Sequence, residues 1–242
     1  MAKPIPLTPQ THKDKRWLAA STYNFAKKSA LIPLVSADMI QAIIDMPVVF
    51  TQKGPAALLG YKTDNNLYID DKGKWLGKYV PAALKGYPFQ LARNQNKNFI
   101  LCVTDDPDYI TDSPKGLPFF DEKDKPTAQV QKIMTFLKQV EQNKAITAKA
   151  FQALQKHEVI KPWPVVLEVQ GKKHRLDGLF RADEKKLSQL SDEAFLELRK
   201  ARALQLAYSQ MISMQHAAKL GKMAEEQMEP EFNFSMDDRI SF

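Results

Sequence analysis

The sequence predicts an α+β protein, with a strand-rich first half and a helix-rich second half. Three observations carry this. Short apolar runs bounded by proline and glycine crowd the stretch before residue 104, of which Val48-Val49-Phe50 and Phe99-Ile100-Leu101-Cys102-Val103 are the clearest. Apolar spacing of three and four begins only after Pro126, at Val130, Ile133, Met134, Leu137 and Val140. A second hairpin then returns at Val165–Phe180, and its strands need partners that only the first half supplies. That order is α+β rather than the strand–helix alternation of a parallel sheet, and it argues for one domain over residues 1–222, followed by an acidic tail, 223–242.

Residues 1–30 are proline-rich at the start and read as irregular. A short helical or extended piece follows over Val35–Asp45, with Ser36 as its expected cap. Pro47 forbids its continuation and opens the strand Val48–Phe50. Ala56–Gly60 reads as a second strand. Leu67-Tyr68-Ile69 alternates, and the turn Asp70-Asp71-Lys72-Gly73, with glycine supplying positive φ, predicts a hairpin reaching Trp75. Phe99–Val103 reads as a buried strand, and Asp105–Lys125, with Pro107, Pro114 and Pro118, as a long ordered loop.

Thr127 is the expected N-cap of the first long helical stretch. A break near Asn143 is expected to divide it from a second helix carrying Phe151 and Leu154. Val165–Val169 and His174–Phe180 pair around Gln170-Gly171-Lys172-Lys173. Asp183 opens a short helix. Ser191, with Asp192 and Glu193 in the first turn, opens one long helix to about Gln227 near the C-terminus. Its expected apolar side holds Leu198, Leu204, Tyr208, Met211 and Ile212. Its expected polar side holds Arg199, Arg202, Ser209, Ser213 and His216.

Composition limits the function classes. The 242-residue chain has one cysteine, Cys102, so an internal disulfide is impossible, and its apolar setting reads as a buried small hydrophobe. The first 30 residues lack a signal-peptide h-region, and no stretch reads as a transmembrane segment; Ala203–Ala218 is uncharged but short and carries several glutamines and serines. A cytoplasmic protein is the expectation, and export by a route that needs no N-terminal signal stays compatible with it. The net charge is +7. Residues 223–242 hold six carboxylates and one arginine, a net −5, which leaves +12 on the preceding 222 residues. Such a body attracts acidic partners, its own tail among them. The lysines are dispersed, and neither a basic helix nor a zinc-finger or RNP-like pattern is present, which argues against nucleic acid.

No phosphate-loop, dinucleotide, nucleophile-elbow or HExxH motif occurs, and the four histidines show no metal-ligand spacing, so no catalytic residue, metal or cofactor is expected. Two constellations stand out. Trp75, Tyr79, Tyr87 and Phe89 surround Pro81 and Pro88, with Lys74, Lys78 and Lys85 beside them. Such a group grips a peptide, or equally forms the core under a loop. His174, Arg175, Asp177 and Arg181 fall within eight residues. Strand alternation puts Arg175, Asp177 and Arg181 on one face as an ion-pair row or an anion contact, and sets His174 on the other.

Several pieces carry a family resemblance: Pro47-Val48-Val49-Phe50, Asn66-Leu67-Tyr68-Ile69-Asp70, Gly73-Lys74-Trp75, Tyr79-Val80-Pro81-Ala82, Tyr87-Pro88-Phe89, Leu117-Pro118-Phe119-Phe120-Asp121 and His174-Arg175-Leu176-Asp177-Gly178-Leu179-Phe180-Arg181. In this order, over most of residues 30–220, the chain resembles the SapC family of bacterial proteins. The resemblance implies a setting near bacterial surface-layer proteins, TonB-dependent uptake receptors or tryptophan-halogenase-like enzymes. It brings no catalytic residues.

The functional expectation is a non-catalytic module that binds a protein or peptide, with an acidic partner favoured. Its expected surface is Trp75, Tyr79, Lys85 and Tyr87, with Arg175 and Arg181 as anion contacts and His174 and Asp177 beside them. Two alternatives stand: an enzyme or enzyme subunit acting on peptides, which needs His174 and Asp177 to converge on a pocket, and a self-assembling surface protein in which the chain forms homo-oligomers.

Overall fold

A computed structural model describes residues 3–96 and 98–228. The chain runs through β1 (Pro4–Pro6), α1 (Pro9–His12), β2 (Arg16–Trp17), β3 (Leu31–Pro33), α2 (Met39–Ala42), β4 (Val48–Thr51), β5 (Gly54–Leu58), α3 (Ala82–Lys85), β6 (Phe89–Arg93), β7 (Phe99–Thr104), β8 (Ile110–Thr111) and β9 (Leu117–Pro118). Then come α4 (Ala128–Lys156), β10 (Ile160–Pro162), β11 (Val165–Val169), β12 (Lys172–Leu176), β13 (Phe180–Ala182), α5 (Glu184–Ser188), α6 (Asp192–Lys200), α7 (Ala203–Ser213) and α8 (Ala217–Glu226). This is the expected α+β architecture of antiparallel hairpins packed against helices late in the chain.

The main sheet has the order β10-β13-β4-β5-β3, antiparallel throughout. Its centre is sealed: Val48, Val49, Phe50 and Ala57 have no exposed surface. The returning hairpin β11–β12 does not find strand partners in the first half as expected. It stands as a two-stranded sheet of its own packed on α8, and only β13, which follows it, reaches the main sheet, through Phe180 opposite Phe50. Helix α7 supplies the missing bonds. Gln210, fully buried, accepts from the Ala182 N–H at 2.9 Å and donates to the Val48 carbonyl at 3.2 Å. The Ser213 hydroxyl accepts from the Val48 N–H at 2.9 Å. The expected apolar side holds at Leu198, Leu204 and Met211, which lie in or against the main core, but four of the expected positions change sides. Ser209, Gln210 and Ser213 point inward, while Tyr208 and Ile212 are 46% and 54% exposed. Buried polar groups follow hydrogen-bond demand, which hydropathy does not register.

Helix α4 is continuous over 29 residues rather than broken at Asn143. Asn143 stays helical because its side-chain amide donates to the Gln139 carbonyl one turn back, at 3.0 Å. The helix joins two cores. Its first half, with Val130 and Leu137, packs on a smaller cluster of Trp17, Phe89, Val103 and Phe119 under the β1-β7-β6 sheet. Its second half, with Ala150, Phe151 and Leu154, packs on the main core. Thr127 caps it as expected.

The segment after Ser191 is not one helix. A left-handed Arg202, at φ 59°, separates α6 from α7, and a tight turn at Met214–His216 separates α7 from α8. Asp183 and Ser191 cap α5 and α6 as expected. Ser36 does not cap α2. Its N–H and hydroxyl go to Thr147 of α4, and Asp38 holds the helix start by accepting from the Val35 N–H.

Leu67–Ile69 is not a strand. All three side chains are buried, so the segment sinks into the core, and the expected hairpin shrinks to the single bridge Ile69–Trp75 around a turn at Gly73, φ +80°. The β11–β12 hairpin closes through Gln170-Gly171 alone, both at positive φ, as a two-residue primed turn. Its second strand ends at Leu176. Gly178, at φ +76°, redirects the chain, so that Phe180 and Arg181 enter the main sheet. The loop 105–125 contains β8 and β9, both paired with β2.

The expected tail begins inside the fold. Met223 and Ala224 are buried in α8, and Glu225 accepts from the Gln170 N–H at 2.8 Å. Gly221 lets α8 lie on β11, since a methyl there would come within 2.5 Å of the Glu168 carbonyl. Residues 229–242 of the tail lie outside the described residues. Among the described residues, no helix is long and apolar enough to cross a membrane.

Candidate functional site

Strand β3 is an edge of the main sheet, and its Pro33 has no N–H to offer a further strand. Three depressions meet at this proline. One, of about 280 Å³, lies between β3, the β4–β5 turn and α4, with Val35, Asp38, Lys53, Val140 and Lys144 around it. The second, of about 410 Å³, runs toward Phe25, Ile32, Ala83, Tyr87 and Pro88. The third, of about 500 Å³, follows Leu31, Gln52, Lys53 and Gly178. Together they make one groove along the sheet edge. Its walls are apolar and proline-rich, and two exposed lysines stand at the first depression, Lys53 and Lys144, the latter paired with Glu141 at 2.6 Å.

The aromatic wall is fixed in place. Phe25, held in a tight turn over Asn24–Ala26, stacks on Tyr87 with ring centroids 3.8 Å apart and planes 5° from parallel. Tyr87 donates its hydroxyl to Asp106 at 2.6 Å and meets Tyr109 edge-on at 4.9 Å. Burial, and then the Asp106 carboxylate, push the Tyr87 phenol well above its ordinary pKa, so it is a neutral donor. The floor is equally saturated. Asp38, 1% exposed, accepts from the Val35 and Ala82 N–H groups and the Tyr79 hydroxyl. Burial, and then Asp38, raise the Tyr79 phenol in the same way.

The site residues expected from sequence separate into groups. Tyr87 is in the groove wall. Lys85 ends α3, whose Ala83 lines two of the depressions, and its ammonium sits 4.3 Å from the centre of the Tyr79 ring. Tyr79 acts from below, through Asp38. Trp75 is interior: it is 8% exposed and donates to the Tyr79 carbonyl at 2.9 Å, with the Tyr23 and Tyr68 rings beside it. It supports the loop and offers no contact surface. Phe89 likewise belongs to the smaller core.

The second constellation does not assemble as a row. Arg175 and Asp177 pair at 2.8 Å on the surface, but Arg181 lies on β13 in the other sheet, because Gly178 breaks the strand between them. His174 packs against the Tyr61 ring at 4.9 Å and does not converge with Asp177. Asp177 alone of the four lines the groove, at its third depression.

Sequence reasoning missed Phe25, Pro33, Asp38, Lys53 and Lys144. Only Asp38 left a usable signal, as an Asx residue before the short helix. A second polar knot ties the loop to α8: Asp45, 5% exposed, accepts from Lys219 and from the Lys78 N–H, both at 2.6 Å, while its carbonyl accepts from the Tyr68 hydroxyl. Among the described residues, no three His, Cys, Asp or Glu side chains gather as metal ligands. Cys102 is buried in β7, and burial raises its thiol pKa.

The family model described as SapC matches residues 7–220, most of the chain. No curated protein and no solved structure matches it. The chain belongs to the SapC family.

Proposed function

We propose that this SapC-family chain is a non-catalytic binding module whose groove along β3 takes an extended protein or peptide segment with apolar side chains and flanking carboxylates. The carrying observation is the groove itself: three adjoining depressions with a rigid aromatic wall and Lys53 and Lys144 at the first. Prolines and a locked Phe–Tyr stack offer contact area at low entropic cost. The buried polar groups beneath are spent on internal bonds, so what faces a ligand is shape, the Lys53 charge and two surface ion pairs, Lys144–Glu141 and Arg175–Asp177. The +12 body strengthens attraction to acidic segments. A cytoplasmic location, and an accessory place beside surface-layer, TonB-dependent uptake or halogenase-associated systems, belong to this proposal on the strength of the resemblance alone.

The test is fluorescence anisotropy with a panel of labelled peptides that vary aromatic and acidic content. Acidic–aromatic peptides should bind, with affinity that falls as salt rises. The double variant Lys53→Glu/Lys144→Glu, at two exposed positions, should weaken them at least tenfold while the fold is kept. Binding that ignores both the salt and the charge reversal would remove the groove from consideration.

A further inference from the structure

We propose that the chain forms an isologous dimer by laying α7 antiparallel against the same helix of a second copy. The inference starts from the exchange on this helix that leaves Tyr208 and Ile212 outside. From Ala203 to Ala218 there is no charged residue, in a chain of which 26% of residues are charged. The polar residues on the inner side serve the sheet, and the side left to solvent carries Gln205, Tyr208, Ile212 and Gln215, all exposed. A solvated helix face normally carries charge. Here it carries none, and beside it α2 packs on α7 with Ile40 and Ile44 at 59% and 53% exposure. The His216 ring, donating to the Ile43 carbonyl at 2.8 Å, fixes that junction.

The spacing identifies the occupant. Gln205, Tyr208 and Ile212 on α7, and Gln215 in the tight turn directly after it, follow one another at intervals of three, four and three, the spacing of a helix-pair seam over the α7 part. The interval reads the same in both directions. An antiparallel copy therefore sets Gln205 against the partner subunit's Gln215, amide to amide, and Tyr208 against the partner subunit's Ile212, apolar to apolar. A two-fold interface has to be self-complementary, and a face without charge meets its own copy with no like-charge contact. An acidic partner, by contrast, finds no cation in this stripe to select it. The face is small beside the ~1,200 Å² at the lower end of stable interfaces, so a weak dimer that depends on concentration is expected.

Salt separates this surface from the groove. Two copies of net charge +7 repel one another, so added salt should strengthen self-association, whereas it should weaken capture of an acidic peptide. Sedimentation velocity on the full chain, from about 1 to about 200 µM, is expected to show a monomer–dimer equilibrium that shifts toward dimer as salt rises. Ile212→Lys should weaken it at least tenfold, and Ile212→Ser to a lesser degree. Both substitutions are at an exposed position, and circular dichroism and urea unfolding check the fold. Orientation is read by cross-linking in a Cys102→Ser background: mixing the Gln205→Cys and Gln215→Cys proteins should give a mixed disulfide dimer in preference to either self-linked one. A monomer at every concentration overturns the proposal, as does a dimer indifferent to both Ile212 variants, one that dissolves with salt, or preferential self-linking of Gln205→Cys. None of these results bears on the groove.

Discussion

Gln210→Leu tests the claim that α7 stitches the main sheet together. The substitution is close to isosteric and leaves the helix register alone. It deletes the acceptor of the Ala182 N–H and the donor to the Val48 carbonyl, both in a site with no exposed surface. An orphaned buried backbone group costs about 1–3 kcal/mol. The Val48 carbonyl keeps a weak neighbour in the Ser213 hydroxyl at 3.5 Å, but that hydroxyl already donates to the Gln210 carbonyl at 2.7 Å, so it relieves little. Two orphans near the middle of the range give ~4 kcal/mol, from which burial of the leucine side chain returns roughly 1–2 kcal/mol. The expected net loss is about 2–3 kcal/mol, a large share of a typical total near 10 kcal/mol. Equilibrium urea unfolding should show a midpoint lower by about 1 M with an unchanged slope. Ser213→Ala orphans the Val48 N–H and should cost about 1–3 kcal/mol. The double variant should depart from additivity, because both side chains serve Val48. A Gln210→Leu protein within ~0.5 kcal/mol of the parent would refute the stitching argument, and with it the reason given for the inward polar residues of α7.

His12 is 3% exposed against the Phe119 ring, and burial holds its pKa below the ordinary value near 6.5. The unfolded chain therefore binds the proton more readily. Stability is full above about pH 6.5 and falls as the pH drops from there through the lowered folded value. In urea midpoints taken between pH 7.5 and pH 5 as rough bounds, His12→Gln should lose less than the parent, and equal losses would assign the acid sensitivity elsewhere. Trp75→Ala should cost roughly 3–5 kcal/mol in thermal or urea unfolding, as an interior ring whose N–H is bonded. Lys85→Ala should stay within about 0.5 kcal/mol. A Trp75→Ala protein of parental stability would mean that the loop carries its own weight.

Element type was legible where one physical cause decided it. Pro47 and the β-branched run after it give β4, and Thr127, Asp183 and Ser191 announce the helix starts they cap. The hairpin at Gln170-Gly171 follows from the one turn that suits it. The errors have a common origin in long-range demand. Asn143 looks like a break until its side chain finds the carbonyl a turn back, and Leu67–Ile69 looks like a strand until all three side chains are needed inside. The groove was the least legible feature, because Phe25, Pro33, Lys53 and Lys144 come from four separate elements and none carries a local pattern. Trp75 and Tyr87 look alike in sequence. Only the fold decides that one is support and the other wall.

The two proposed surfaces share the main sheet, yet their chemistry keeps them apart. The groove borders β3 at one edge. Helix α7 bonds to β4 and β13 across the sheet's other half. Strand β5 lies between, buried along its length and paired on both sides, so it is a poor hinge. Helices α2 and α4 also reach both surfaces, because Asp38 and Lys144 line the groove while both helices pack on α7, so coupling would need a second arrangement of these helices, which the buried Asp38 bonds oppose. Charge points the same way. Lysine in the groove recruits an acidic ligand, and a face stripped of charge recruits only what resembles itself. A dimer built on α7 would thus leave each groove free, presenting two copies of one recognition edge. A ligand with repeated acidic–apolar segments would gain from that pairing through effective concentration, with no new contact required.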